Sequence, residues 1–438
     1  MPVKKHNFTK TPKFGTDVPP YSGLVVTEEM KRLIFQPGFL NRKNGGNKLR
    51  DLYMQSSMGF NPNELSDFGR ACYCGSLEWA RQLMEYGKVP PLNETESPFQ
   101  LGYASCIVLG SQRVEGFPGG PQPNHLGLLK FLIQRGLPLS IPDIVGYTPL
   151  HHSVMGESRQ DKAQIIRALL EGGADVHFQN RWGESPLLPA MVREDILGIE
   201  LFMEFGADVN LPDGDGTTAM MCHIPNGPRV AAAIDKWVKI RAGEKGKLTE
   251  KRCDNCGQEG KGLKKCARCL TVQYCSRECQ TSSWKAHKKV CVPMNKSTTV
   301  TVTPHYPQIP GAVNVSMSPF IRGTVLGLPT QAVPETHFRY SHIPENIPPE
   351  GKQVVIKVQV PQPLKNPDGT YNEMRVYTRK RDLVCHILRP TNVAAYDELL
   401  RVILEKGMEG KKAYFVADLR SPKELVIKVS EVLAAQPW

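Results

Sequence analysis

The sequence predicts a multidomain protein in which an all-α solenoid of helical repeats precedes a small cysteine-rich unit and a C-terminal α+β domain. Three observations predict this order. A four-residue pattern recurs after 33 residues, seven of the twelve cysteines fall within 39 residues, and the last part of the chain alternates apolar runs with turn signals. The length of 438 residues is sufficient for about three domains.

The composition is typical of a globular protein, with 40% hydrophobic and 22% charged residues. No run of 18 apolar residues occurs, which argues against a transmembrane helix. The basic start at Met1–His6 has no apolar segment behind it, so no secretory signal is predicted. We therefore expect a cytoplasmic or nuclear protein without a membrane partner, in which cysteines bind metal rather than form disulfides.

The first segment, residues 1–60, shows no sustained hydrophobic period and is interrupted by prolines and glycines. We predict an irregular N-terminal arm with at most short helices.

Internal similarity begins after this arm. The sequence Gly-Ala-Asp-Val at Gly173–Val176 recurs at Gly206–Val209, and each copy closes an amphipathic stretch. Related openings stand at Gly146–His151, Gly183–Leu187 and Gly216–Ala219. In such a unit Thr or Ser caps the first helix, Pro occupies its first turn, and Gly ends the second helix where a positive φ is needed. A unit of two short helices must stack on its neighbours to bury its apolar face.

This 33-residue unit resembles the ankyrin repeat, and looser copies upstream end at Gly87 and Gly136. We predict a stack of four to five repeats over residues 61–245, with the first ones degenerate. The resemblance implies a partner surface along the concave face and the tips of the β-turns.

The cysteine-rich unit follows a basic connector. Seven cysteines and one histidine lie at spacings that allow pairs to reach one ion from a single tight turn. The eight candidate ligands are Cys253, Cys256, Cys266, Cys269, Cys275, Cys279, His287 and Cys291. Structural zinc sites use four protein ligands each, so eight ligands predict two zinc ions per chain.

The spacing over residues 253–291 resembles a MYND-type zinc finger. The resemblance implies interleaved sites, with Cys253, Cys256, Cys275 and Cys279 on one ion and Cys266, Cys269, His287 and Cys291 on the other. It also implies binding of short proline-containing peptides, in a groove to which Gln280 and Trp284 would contribute. Because neither zinc would keep an open position, both are expected to support folding rather than catalysis.

The rest of the chain falls into two parts. Residues 297–350 are rich in proline and are predicted to be extended, and residues 351–438 are predicted to form a small α+β domain of unknown role. In the latter we expect a strand at 354–358, strands at 374–377, 383–388 and 414–417, a helix at 394–405, and a final helix at 422–433.

The net charge of +12 is uneven, since residues 235–296 carry 16 Lys and Arg against 6 Asp and Glu. This segment could attract nucleic acid, so a transcriptional or chromatin cofactor is one alternative. An enzyme with a site in the C-terminal domain is another. SET methyltransferases with such a finger carry Asn-His-Ser, and prolyl hydroxylases carry His-x-Asp; neither motif occurs in this sequence. We therefore predict a non-enzymatic adaptor that binds other proteins through its ankyrin face and its finger, with catalytic residues absent.

Overall fold

The computed structural model describes residues 24–116, 122–156, 161–244, 252–260, 262–307 and 339–438. The chain divides into two compact units, residues 1–230 and residues 231–438. Within the described ranges, no helix has both the length and the apolarity needed to cross a membrane.

The described part of the first unit is helical apart from a short two-stranded antiparallel ladder. Its helices are α1 (Glu28–Phe35), α2 (Gly46–Ser57), a 3-10 turn (Pro62–Glu64), α3 (Asp67–Cys74), α4 (Leu77–Glu85), α5 (Tyr103–Ser111), α6 (His125–Ile133), α7 (Pro149–Ser153), α8 (Lys162–Glu171), α9 (Leu187–Val192), α10 (Ile196–Glu204) and α11 (Ala219–Cys222). The ladder pairs β1 (Thr95–Glu96) with β2 (Leu101–Gly102) between α4 and α5. This insertion accounts for part of the wide spacing of the first repeats.

Polar caps set the starts of several of these helices. The Ser66 hydroxyl accepts from the Gly69 N–H at 3.0 Å, and the Asn124 side chain accepts from the Gly127 N–H at 2.8 Å. Each cap satisfies one of the backbone donors that a helix leaves free at its start. At the other end, Gly173 and Gly206 follow α8 and α10 with φ of +93° and +92°, a backbone region that favours glycine.

The β-turns between successive helix pairs are joined by backbone hydrogen bonds. The Arg181 N–H donates to the Val145 carbonyl at 2.8 Å, and the Gly214 N–H donates to the Trp182 carbonyl at 2.7 Å. These bonds hold the turn tips in one continuous row.

The described part of the N-terminal arm contains two short helices, α1 and α2, which our expectation allowed, but it is also packed onto the turn tips, which we did not predict. The buried Arg181 guanidinium donates to the Leu33 and Ile34 carbonyls at 3.1 and 2.9 Å, and also to the carbonyls of Gln36 and Gly38. Those carbonyls belong to the last turn of α1 or to the residues just after it, where the helix does not supply the usual N–H donors. The Arg181 guanidinium supplies donors in their place. The Trp182 indole donates to the Gly46 carbonyl at 2.9 Å. These tips are therefore covered by the chain's own arm.

We expect Arg181→Met to lower the free energy of unfolding of the first unit by about 3 kcal/mol or more, because four buried or partly buried carbonyls each lose a donor. Urea unfolding measures the change, and limited proteolysis should become faster within residues 24–57. Arg42→Met, at an arginine whose side chain is 80% exposed on the same arm, is the matched control. Equal stability of the two variants would contradict this role of Arg181.

The second unit contains a six-stranded antiparallel sheet, as expected for a C-terminal sheet-containing domain. The elements are α12 (Pro228–Arg241, which begins in the first unit), β3 (Lys264–Lys265), β4 (Gln273–Tyr274), α13 (Arg277–Val290), β5 (Thr299–Val302), β6 (Lys352–Gln359), β7 (Met374–Thr378), β8 (Val384–Ile387), α14 (Val393–Lys406), β9 (Lys412–Ser421) and β10 (Glu424–Lys428). The strand order is β5-β10-β9-β6-β7-β8. Helix α14 covers one face, where Ile356, Phe415 and Ile427 pack against Tyr396 and Ile403.

The final helix predicted at 422–433 is wrong, because this segment contains β10. Its residues pair with β9 on one side and with β5 on the other. Leu425 and Ile427 enter the core under α14, while Val426 and Lys428 lie on the opposite face of the sheet, which we call the outer face. A strand buried on both faces gives a continuous apolar run, which periodicity alone does not distinguish from a helix.

Candidate metal centre and its flanking helix

Two tight turns present the first ligands of the cysteine-rich segment. In the first, the Gly257 N–H donates to the Cys253 carbonyl at 2.9 Å, and Gly257 has a φ of +73°. In the second, the Leu270 N–H donates to the Cys266 carbonyl at 2.9 Å, and Leu270 has a φ of +60°. The same turn is therefore built twice, once with a glycine and once with a leucine at the left-handed position.

The structure brings the eight predicted ligands into two groups of four. One holds Cys253, Cys256, Cys275 and Cys279, and the other holds Cys266, Cys269, His287 and Cys291; in each group the donor atoms lie within 4.8 Å of one another. This is the interleaved arrangement that the resemblance implies.

The donor distances suit tetrahedral zinc. The Cys275 Sγ lies 3.6 Å from the Cys256 Sγ and 3.5 Å from the Cys279 Sγ, and the Cys269 Sγ lies 3.6 Å from the His287 Nε2. A tetrahedron with zinc–sulfur bonds of about 2.3 Å has edges of about 3.8 Å. Thiolate and imidazole donors in this geometry fit two structural zinc ions, each with four protein ligands and no position left for a substrate.

The pKa values of the cysteine thiols also indicate that each group of ligands binds a cation. Burial raises the pKa of the Cys253 thiol, but the N–H groups of Cys256, Cys275 and Asn255 outweigh it and lower that pKa to about 6. In the other group, burial and the charges of Cys269 and Cys266 raise the pKa of Cys291 to about 11. Thiolates packed this closely repel one another, and a bound divalent cation removes that repulsion.

Helix α13 carries two of the ligands, Cys279 and His287. The Ser276 hydroxyl caps the helix by accepting from the Cys279 N–H at 3.2 Å. Two turns later the buried His287 reaches the second group. The helix is therefore held to both metal sites, at its start and near its end.

The two predicted groove residues lie on α13, one turn apart. Trp284 is half-buried and packs against the cysteine cluster, with its ring centre 5.8 Å from that of His287. Gln280 is also half-buried, and its side-chain amide forms no hydrogen bond in the part of the chain that the structure describes. Residues four apart share one helix face, so the amide and the indole are neighbours.

The finger also packs onto the outer face of the sheet, which the sequence did not predict. The Lys428 ammonium is buried and donates to the carbonyls of Cys269 at 2.9 Å and Val292 at 2.7 Å, and it forms an ion pair with Glu431. Leu270 packs with Tyr414 on the same face. The leucine at a left-handed position is therefore explained by the apolar contact it makes with the sheet. The sequence does not show that Lys428 points toward the finger, because this direction depends on the register of β10 with its neighbouring strands.

The remaining cysteines form no further metal group among the described residues. Cys72, Cys106 and Cys385 are buried, and Cys222 is half-buried, whereas Cys74 is exposed. Cys72 and Cys74 both lie on α3, but only Cys72 packs in the core.

His151 has a structural role. Its Nδ1 accepts from the Thr148 N–H at 3.2 Å, and its Nε2 lies 3.0 Å from the Glu184 carbonyl. Burial lowers the pKa of His151 to about 4, so the ring is neutral at pH 7 and joins two successive repeats.

Comparisons with known proteins agree with both parts of this architecture. Residues 253–291 match the MYND finger family, and residues 145–181 match the ankyrin repeat family. The chain therefore contains a MYND finger and an ankyrin repeat.

Individual relatives match only segments of the chain. The ankyrin repeat protein FPV243 of Fowlpox virus is 36% identical over 17% of this chain and 33% of its own length. The zinc finger MYND domain-containing protein 10 homolog of Drosophila melanogaster is 48% identical over 10% of this chain and 9% of its own. The N-lysine methyltransferase SMYD2 of Homo sapiens is 41% identical over 12% of this chain and 13% of its own. This chain thus spans a third or less of each of these relatives.

Proposed function

We propose that this chain, which carries a MYND finger and an ankyrin repeat, is a non-enzymatic adaptor whose finger binds short proline-containing peptide segments. Both kinds of module generally mediate protein–protein interaction. Several relatives of the finger are methyltransferases, but the match to SMYD2 covers only 12% of this chain, and the Asn-His-Ser motif of SET enzymes does not occur in the sequence. The two zinc ions, with four protein ligands each, supply folding energy rather than an activated water.

The pair Gln280 and Trp284 carries this proposal. A half-exposed indole offers a flat apolar surface to a proline ring, and the neighbouring amide offers a donor and an acceptor to the peptide backbone. The indole N–H of Trp284 also has no hydrogen-bond partner among the described residues. Proline-containing segments are extended and partly preordered, so they lose little entropy on binding such a shallow surface.

The first unit adds a second surface. We infer that its helix pairs form an ankyrin solenoid of four to five repeats, and that partners bind away from the turn tips that α1 and α2 cover. Two modules on one chain raise the local concentration of one partner near the other.

The experiment is a binding assay on an array of proline-containing peptides, with the full chain as the probe. We expect Trp284→Ala to weaken binding at least about tenfold, because hot-spot aromatic residues contribute about 2 kcal/mol or more at interfaces. Gln280→Ala should weaken it less. Val290→Ala, at a residue of α13 that is 63% exposed, is the matched control.

Each variant must first be shown to bind two zinc ions and to unfold at the wild-type temperature. If Trp284→Ala passes both checks and still binds the same peptides with the same affinity, the peptide-binding function is refuted and Trp284 is a packing residue of the finger.

A further inference from the structure

A group of cationic side chains lies on the outer face of the C-terminal sheet. Lys357 of β6 pairs with Tyr377 of β7 and Tyr414 of β9. In the adjacent row of the same face, Gln359 pairs with Arg375 and Lys412. Arg381, in the turn after β7, completes the group. We call Lys357, Arg375, Arg381 and Lys412 the cation cluster.

The centre of the cluster is buried against aromatic rings. Lys357 is 5% exposed, and its ammonium lies 5.0, 5.4 and 5.5 Å from the ring centres of Tyr377, Tyr414 and Trp438. The Arg381 and Arg375 guanidinium groups lie 3.3 and 5.4 Å from the Tyr377 ring centre. Three cations thus lie within 5.4 Å of one ring centre.

The cluster has almost no acidic partner. Among the described residues, the Lys357 ammonium donates no hydrogen bond, and the buried Arg375 Nε and Arg381 Nη1 atoms have no acceptor. The charge of Glu409 acts on Lys412, and Glu409 is paired with Lys411 at 2.8 Å. Glu373, two positions before Arg375, is paired with His386 at 2.6 Å. The Tyr414 hydroxyl donates to the backbone oxygens of Gln436 and Trp438, at 3.0 Å each.

Such an arrangement is costly without an anion. Lysine and arginine are rarely buried unless they are paired, and donors left without acceptors add to the cost. The lowered pKa values of the cluster side chains reflect the same unfavourable burial of positive charge. Burial, with the charges of Arg381 and Arg375, lowers the pKa of Lys357 to about 7, and burial, with the charge of Lys357, lowers that of Lys412 to about 8. Burial also lowers the pKa of Arg375 and Arg381.

We propose that the cation cluster binds the phosphate group of a small phosphorylated ligand, held by Lys357, Arg375 and Arg381 beside the aromatic wall of Tyr377, Tyr414 and Trp438. A dianion with several acceptor oxygens matches clustered cations and two planar guanidinium forks better than a single carboxylate does. The recessed position of Lys357 suits a small ligand rather than a long polyanion, which binds an extended basic surface.

Isothermal titration of the full, zinc-bound chain with inorganic phosphate and with phenyl phosphate tests this site, at constant ionic strength and with acetate as the monoanion control. We expect saturable binding of one phosphate per chain and no comparable binding of acetate. Tighter binding of phenyl phosphate would assign a phosphate ester as the ligand, and equal binding would assign free phosphate. Both results support the site.

Lys357→Met and Arg375→Met should each weaken phosphate binding at least about tenfold, since hydrogen bonds to charged groups are lost. Lys423→Met, at an exposed lysine between β9 and β10, should bind as the wild type does. Without phosphate, Lys357→Met should be at least as stable as the wild type, because a buried cation without a counterion has been removed.

Absence of phosphate binding by the wild type, or unchanged binding by both cluster variants, would overturn the proposal. If Lys357→Met does not fold, Arg375→Met alone decides the outcome. Peptide binding by Trp284→Ala tests the finger, whereas phosphate binding tests the cation cluster. Either proposal can therefore be refuted without affecting the other.

Discussion

Replacing Cys269 with serine is expected to lower the zinc content of the chain from two ions to one and to unfold the second half of the finger. Cys269 is buried, and its Sγ lies 3.6 Å from the His287 Nε2 in a group of four donors. Loss of one thiolate leaves three ligands, and binding of structural zinc in fingers supplies about 10 kcal/mol or more of folding energy. Since whole domains are stable by only about 5–15 kcal/mol, the part of the finger around the second site is not expected to remain folded without this ion.

The measurement combines elemental analysis of zinc with far-UV circular dichroism, in which the signal from α13 should decrease. Cys74→Ser is the matched control, because Cys74 is an exposed cysteine outside both groups. Two zinc ions bound to Cys269→Ser, or the same loss of zinc in Cys74→Ser, would refute the assignment of the second site.

The second large effect concerns Lys428. We expect Lys428→Met to lower the free energy of unfolding of the second unit by about 3–5 kcal/mol, because removal of one partner of a buried ion pair leaves groups that cannot be solvated. The variant takes the donor away from the Cys269 and Val292 carbonyls and the cation away from Glu431. The finger should then separate from the outer face of the sheet, and hydrogen exchange of the β9 and β10 amides should accelerate.

Urea unfolding and hydrogen exchange measure these changes, and Lys423→Met serves as the control at an exposed lysine of the same hairpin. Chelation of zinc from the wild type should accelerate exchange in the same strands, since Lys428 binds the carbonyl of a metal ligand. If chelation unfolds the finger and leaves the exchange of β10 unchanged, the finger is not coupled to the sheet.

The parts of the structure predicted correctly from the sequence are those set by local spacing. The glycines that end α8 and α10 and the Thr148–Pro149 helix start are requirements of a single repeat, so they are visible in a short window. The metal ligands are visible for the same reason, because each pair of cysteines must fit one tight turn.

The parts that the sequence did not predict depend on contacts between distant residues. The Arg181 side chain donates to carbonyls at the end of α1 more than 140 positions earlier in the sequence. A pattern within the N-terminal arm therefore does not show where the arm packs. The strand β10 is buried on both faces, and its apolar run therefore has the appearance of a buried helix segment. The cation cluster exists only through the register of three strands, which places Lys357 between Tyr377 and Tyr414.

Binding of proline-containing peptides by the finger is the central claim, and it is tested most directly at Trp284 itself. The chain has five tryptophans, so labelling with ¹⁵N-tryptophan gives five indole N–H signals, and Trp284→Phe assigns one of them. On addition of a proline-containing peptide from the array, we predict that the Trp284 signal shifts with saturation while that of Trp438, on the sheet, does not. An unchanged Trp284 signal at saturating peptide would contradict the account.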